Sequence, residues 1–370
     1  MAHGPEARVA LTAARYRRRV AEDDRFFSGL ELARHFYVDV LRDAIGASSH
    51  AAARVGSGSD ALGYDTARST DHDWGPRCHV FVAASDVENL RDRIEAALPE
   101  QFLGWPVRFG WDDVPVQHHV EVQTLERWLV EELAIDPRDG LTYSDWLLLP
   151  QQQLLHVTGG EVFHDDTGEL VDIRGRLAWY PDDVWRYLLG CAWRRIAQEE
   201  AFVGRTAEVG DELGSRIVTA RISRDIMRLR FLLERRYAPY SKWLGTAFAG
   251  LDASGEDRAA LERALAADNY KEREAGLMIA YEAVARAFNA LDVVPPVDEP
   301  TVRTFYSRPY LVLMADRFAD ASFAALEDPW LRSLPPVGSV DQFLDSTDAL
   351  YPERARRTSP ILAPASESPG

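Results

Sequence analysis

Val55-Gly56-Ser57-Gly58-Ser59-Asp60, followed by Ser69-Thr70-Asp71-His72-Asp73-Trp74-Gly75, decides how this chain is read. A glycine/serine turn stands a short loop ahead of two aspartates spaced i and i+2. On a β-strand such residues share a face. The spacing therefore predicts that Asp71 and Asp73 aim their carboxylates at one point, where a hard divalent cation could bridge them. The turn adds backbone N–H groups and small hydroxyls suited to phosphate oxygens.

Outward from this stretch the pattern alternates. Ser28-Gly29-Leu30-Glu31 has capping-box spacing, and Leu32, Phe36, Val40 and Leu41 form an apolar helix face behind it. A short strand, Ala51 to Val55, enters the turn. The apolar Val80-Phe81-Val82-Ala83 follows the aspartates, then a helix with Leu90, Ile94 and Ala97 on one side. Val116 to Val122 alternates as a strand, Leu125 to Leu133 has helical spacing, and Trp146 to Val157 reads as helices interrupted by Pro150. Gly160 to Phe163 starts a strand, Asp165-Asp166-Thr167-Gly168 turns it, and Leu170 to Ile173 is expected to return it. From Pro181 the text is helical, over roughly 182–202, 211–235, 242–252, 256–267, 271–290 and 308–327. The expectation is an α+β chain: a small mixed β-sheet domain followed by an all-helical C-terminal domain. The boundaries are a 1–28 N-terminal arm, a 29–178 catalytic domain, a 179–350 helical domain and a 351–370 disordered tail.

Bulk composition narrows the classes. At 370 residues the chain is long enough for two cores. A net charge of −17 opposes non-specific binding to nucleic acid or to anionic membrane. Cys78 and Cys191 are too few for a disulfide framework or a cysteine-rich zinc site. No apolar run approaches the roughly 20 residues of a membrane span, and the N-terminus lacks a signal-peptide core. The expected location is the cytoplasm.

A phosphate cradle next to a carboxylate pair suits nucleotidyl transfer, in which a metal-bound nucleoside triphosphate is attacked in line at one phosphorus. That chemistry generally takes a third carboxylate, to complete a second metal site or to deprotonate the attacking hydroxyl. Glu121, between Val120 and Val122, is the choice; Glu161, Asp165 and Glu126 are the alternatives. Asp60 and Asp65 are expected to fix the loop through side-chain hydrogen bonds. Arg77 is a candidate phosphate partner. Lys242, between aromatics at a helix start, is a second candidate. A rival reading takes His72-Asp73 and His164-Asp165 as parts of a helical metal phosphohydrolase, but Trp74-Gly75-Pro76 opposes a helix there. His118-His119 could bind metal, without a partner at i+4. Gly338 to Asp345 reads as a helix cap, with part of the acceptor site as the alternative.

Gly56-Ser57 with Asp71-x-Asp73 resembles the signature of the DNA-polymerase-β-like nucleotidyltransferase superfamily, which includes the aminoglycoside nucleotidyltransferases. More narrowly, Gly56 to Asp60, Asp71 to Arg77, Gly160 to Phe163, Pro239 to Trp243 and Asp341 to Phe343 resemble an uncharacterised bacterial family with a predicted nucleotidyltransferase domain. The resemblance implies that Gly56 and Ser57 contact the triphosphate while Asp71 and Asp73 hold Mg²⁺. Two features depart from the superfamily pattern: the loop before Asp71 is longer, and His72 stands where an apolar residue is typical.

The sequence thus predicts a cytoplasmic, Mg²⁺-dependent enzyme that moves a nucleoside monophosphate from a triphosphate, ATP by expectation, to a hydroxyl acceptor. Asp71, Asp73 and Glu121 are the catalytic and metal-holding residues; Gly56, Ser57, Ser59, Arg77 and Lys242 bind the nucleotide. The alternative is a nucleotide-binding regulatory or antitoxin-like module without catalysis.

Overall fold

The computed structural model describes residues 26–111, 114–252 and 255–362. The first 25 residues of the expected N-terminal arm and residues 363–370 of the expected tail lie outside them. Two compact units result. The first comprises the described residues up to Gly140 together with Gln153–Ala178; the second takes Leu141–Gln152 and the described residues from Trp179 onward. The sequence reading cut the chain once, near residue 178, and did not assign Leu141–Gln152 to the helical part.

The first unit is built on a five-stranded sheet. Its strands are β1 (Ala51–Arg54), β2 (Arg77–Phe81), β3 (Arg108–Trp111), β4 (Val114–Gln123) and β5 (Glu161–Asp165), in the order β3-β4-β2-β1-β5. β1 runs antiparallel to β2 and β5, whereas β2 and β4 are parallel. The helix Val87–Ala97 makes the crossover that a parallel pair requires. One sheet face carries the core. Cys78 and Val80 of β2 and Val120 and Val122 of β4 pack with Leu32, Phe36, Leu41, Leu90 and Ile94. These are the helix faces that the apolar spacing predicted, except that Ala97 is exposed. With period 2, the intervening residues Arg77, His79, His119 and Glu121 must take the other face.

The return strand expected at Leu170 to Ile173 is instead the helix Glu169–Arg176. The reason lies in the preceding turn. Gly168 adopts a left-handed φ of 73°, and the Asp165 carboxylate accepts from the N–H groups of Gly168 and Val171, each at 3.0 Å. A carboxylate over free N–H groups starts a helix and does not close a hairpin.

Apart from an antiparallel pair of Arg303–Thr304 with Leu311–Val312, the latter inside the stretch read as helical over 308–327, the second unit is helical, with its longest helices at Asp182–Glu199, Glu212–Leu233 and Tyr270–Asn289. The sequence placed these to within a few residues. Trp193, Phe288 and Phe318 pack as one aromatic cluster. The part of the expected tail that is described is ordered: Pro352–Thr358 is a helix, Arg356 pairs with Asp145 at 3.0 Å, and the Leu362 carbonyl accepts from the buried Ser144 hydroxyl at 2.6 Å. A low-complexity composition did not reveal these two anchors. Among the described residues no helix is long and apolar enough to cross a membrane.

Two carboxyls of this unit are raised toward neutral pH by their surroundings. Burial pushes Glu200 up to about 7, although it accepts from the N–H groups of Leu313 and Ala315 at 2.8 and 3.0 Å. Burial likewise pushes Asp341 up to about 6. An acid whose folded pKa is raised binds its proton more tightly when folded. Stability therefore falls as pH rises from the unfolded value to the folded one. For Glu200 that window runs from 4.5 to about 7, with a slope of roughly 1.4 kcal/mol per pH unit. Denaturant midpoints measured from pH 5 to 8 should show Glu200→Gln flattening this fall. Parallel profiles for variant and native chain would refute the assignment.

Candidate functional site

Arg54, 2% exposed at the end of β1, shapes the Gly-Ser turn. Its Nε and Nη2 donate to the two oxygens of Asp60, each at 2.7 Å. Nη2 also donates to the Ser57 carbonyl at 2.7 Å, and Nη1 donates to the Val55 carbonyl. Burial alone would lower the Arg54 pKa, but the charge and hydrogen bonds of Asp60 raise it; Asp60 is correspondingly held below the usual carboxylate range. The chain from Val55 to Asp60 is thus wrapped around a buried guanidinium. Gly58 has a φ of 122°, and a Cβ there would stand 2.3 Å from the Asp60 carboxylate and 2.5 Å from Arg54. No other residue fits.

Gly56 is buried, with φ of 80°, and its N–H donates to the His156 carbonyl at 2.8 Å. It bends the turn but has no N–H to offer a phosphate. Ser57 is exposed and Gly58 and Ser59 are half-exposed; the N–H groups of these three bond to no other described residue. They are the turn's available donors.

The aspartates do not sit on a strand, which corrects the expectation of a shared strand face. Ala67–Asp71 is a short 3₁₀ turn with a Thr66/Ser69 capping box, Asp73 adopts a left-handed φ of 49°, and β2 begins only at Arg77. The capping box and Gly75-Pro76 outweigh the strand pattern, since proline cannot donate to a ladder. Asp71 is exposed. It accepts from His72 Nδ1 at 2.8 Å and lies 3.4 Å from Arg68 Nε, and the His72 contact is the first cause of its lowered pKa. Asp73 is paired with Arg77. Asp65 fixes the loop by accepting from the Gly29 N–H at 2.7 Å and the Trp74 indole at 3.0 Å; Asp60 fixes it through Arg54.

Glu121 stands on the predicted strand. The parallel register sets it beside His79, whose Nε2 is 3.4 Å from a Glu121 oxygen. The His79 hydrogen bond is the first cause of a lowered Glu121 pKa, outweighing burial, with Arg54 and Arg77 adding to it. Glu121 is therefore ionised at neutral pH. Beside it, the Arg77 guanidinium lies 5.6 Å from the Phe109 ring and 5.1 Å from the Trp111 ring. Burial lowers the His119 pKa, and that imidazole also feels the charges of Arg77, Asp73 and Glu121. His79 Nδ1 and Arg77 Nε are buried and have no hydrogen-bond partner among the described residues. One face of the first unit thus gathers Asp73, Arg77, His79, His119 and Glu121 next to the turn, with Asp71 directed to His72.

Carboxylate oxygens are the right donors for Mg²⁺, so Asp71, Asp73 and Glu121 fit such an ion in kind. In this structure their oxygens do not all lie within 4.8 Å of one another. The alternative carboxylates are otherwise engaged: Glu161 pairs with Arg34, Glu126 with Arg138 at 2.7 Å, and Asp165 caps a helix. Neither His72 nor His164 lies on a helix. His118 turns to Glu95 at 2.9 Å and His119 to the Phe109 carbonyl at 3.0 Å, so the pair does not converge. Lys242 belongs to the second unit, with its Nζ 5.1 Å from the ring of its neighbour Trp243. The Gly338 to Asp345 stretch is a helix cap, with Ser339 and Gln342 forming a capping box. Sequence reading missed Arg54 and His79. An arginine closing an alanine strand, six residues ahead of an aspartate, was the available signal.

Residues 146–244 match a family model described as a domain of unknown function, DUF4037. The match does not include the turn or the aspartates. No curated protein matches the chain. Among solved structures, the chain is similar to a nucleotidyltransferase-like protein from Exiguobacterium sibiricum 255-15, at 13% identity and a TM-score of 0.32, over 75% of this chain and 82% of that one.

Proposed function

We propose that this chain is a nucleotidyltransferase that moves a nucleoside monophosphate from a triphosphate, ATP first among them, to a hydroxyl acceptor. The observation that carries the reading is the rigid turn around Arg54 and Asp60. It leaves the N–H groups of Ser57, Gly58 and Ser59 available beside a face bearing Asp73, Arg77 and Glu121. Three unengaged N–H groups on one turn suit phosphate oxygens, and Arg77 adds a positive charge. The acceptor oxygen attacks the α-phosphorus, the bond to the pyrophosphate oxygen breaks, and the acceptor's proton leaves to a base or to water. Glu121, kept ionised and oriented by His79, faces that reaction as the third carboxylate. Asp73 and Glu121, joined by Asp71 once it turns from His72, are the residues that would hold Mg²⁺, which when bound supplies charge neutralisation at the triphosphate and leaving group.

The engagement of Asp73 by Arg77 favours one second reading, a module that binds nucleotide without transferring it. Incubation with Mg²⁺ and each triphosphate, across panels of hydroxyl acceptors, should release pyrophosphate. The triphosphate should also stabilise the chain, by about 2.7 kcal/mol at ~100 times its dissociation constant. Stabilisation without pyrophosphate would support the binding module. Absence of both would refute the two readings together.

A further inference from the structure

We propose that His50, His164 and Asp166 form a site for a transition-metal ion, Zn²⁺ foremost, that clips the edge strand β5 to β1. It is separate from the turn, because His50 precedes the first residue of β1 whereas the turn follows the last. Three ligating atoms, one from each residue, lie within 4.8 Å of one another. Asp166 is the centre: one oxygen is 2.9 Å from His164 Nε2 and the other is 3.6 Å from His50 Nδ1. Ligands around a tetrahedral zinc stand about 3.4 Å apart, given bonds of about 2.1 Å. The two separations, each to a different oxygen of the Asp166 carboxylate, lie on either side of that figure. Two imidazoles and a carboxylate are a donor set for Zn²⁺, Co²⁺ or Ni²⁺ and a poor one for Mg²⁺, which prefers oxygen throughout.

The surroundings keep the imidazoles available as ligands as well. The rings of His50 and His164 stack at 4.4 Å, an arrangement in which two imidazolium charges would repel. The far nitrogen of His50, Nε2, is 3.0 Å from the Tyr37 hydroxyl. A hydroxyl both donates and accepts, so Tyr37 can serve either tautomer. With Nδ1–H donating to the Ser48 carbonyl at 2.9 Å, Tyr37 donates to Nε2. With Nε2–H donating to Tyr37, the Nδ1 lone pair becomes available to a metal once the ring turns from the Ser48 carbonyl toward Asp166, and Tyr37 becomes the outer partner that orients a metal-bound histidine. The backbone is already fixed around the site. The His50 N–H donates to Asp166 at 2.9 Å, and the Asp166 N–H donates to the His50 carbonyl at 3.1 Å. Asp166 and His164 are partly exposed, so water can complete the coordination.

The test uses the full chain stripped with a chelator, titrated with ZnCl₂ by calorimetry, with metal content measured after dialysis. One equivalent of Zn²⁺ should bind, Co²⁺ should give the visible absorption of a low-coordinate site, and excess Mg²⁺ should not displace either. His164→Ala and Asp166→Ala should each weaken Zn²⁺ binding at least tenfold while keeping the native circular dichroism, because both side chains are partly exposed. Tyr37→Phe, which keeps the ring but not the hydroxyl, should weaken it less. Failure of the native chain to bind Zn²⁺ overturns the proposal without reference to any variant. Undiminished binding by the His164→Ala/Asp166→Ala double variant places the ion elsewhere and overturns it too.

Discussion

Asp60→Ala should destabilise the first unit by about 3–5 kcal/mol, the cost of leaving one member of a buried ion pair without its partner. Arg54 and Asp60 are each 2% exposed, and the variant strips Arg54 of two hydrogen bonds of 2.7 Å. The guanidinium cannot escape by losing its proton. At a denaturant slope of ~2 kcal/mol/M the urea midpoint should fall by on the order of 2 M. Arg54→Met should cost a similar amount, since it leaves a buried carboxylate. The double variant should cost less than the sum, because the two residues form one unit. The pH dependence has a definite sign. Asp60 is held below its ordinary value of 3.8, so its contribution is complete above that pH and is lost as pH falls through the folded value. The gap between native chain and variant should close in strong acid. A midpoint within 0.3 M of native for Asp60→Ala, on the order of the scatter in such fits, would show that the pair does not hold the turn.

Glu121→Gln should lower turnover by about 10²- to 10⁴-fold, the range for a group acting in the transition state. Triphosphate affinity should change little, because the free N–H groups belong to Ser57, Gly58 and Ser59. The amide keeps the shape of the side chain and loses the charge that His79 stabilises. Asp73→Asn should be comparably damaging. Glu161→Gln should leave turnover near native, since Glu161 is paired with Arg34. Asp165→Asn, which keeps one acceptor over the helix start and loses the charge, should cost about 0.3–1 kcal/mol of stability and little rate. Native turnover in Glu121→Gln, with loss in Glu161→Gln, would move the third carboxylate to β5. Single-turnover kinetics with a separate binding measurement distinguishes the cases.

Local patterns in the sequence determined the elements that depend on local forces. The apolar spacing of Leu32, Phe36 and Leu41, the alternation of Val120, Glu121 and Val122, and the long helices from Asp182 onward all follow from periodicity, because burying one face is what each element does. The α+β class follows from their order. Glycines at Gly56 and Gly58 marked a bend, and left-handed φ values bear that out. What surrounds the bend was beyond local reading. The Arg54–Asp60 pair closes it from within, the His156 carbonyl takes the Gly56 N–H, and His79 meets Glu121 only through the register of β2 and β4. Asp71 and Asp73 show the converse. Their spacing suits a strand, but the Thr66 cap, Pro76 and the pull of His72 and Arg77 place them on a loop with divergent side chains. Asp165 likewise reads as a hairpin turn and acts as a helix cap. In each case the deciding partner is a charge or a hydrogen-bonding group whose position relative to the motif is set by chain folding. Periodicity reports which face is apolar, and tertiary structure decides which polar groups find one another.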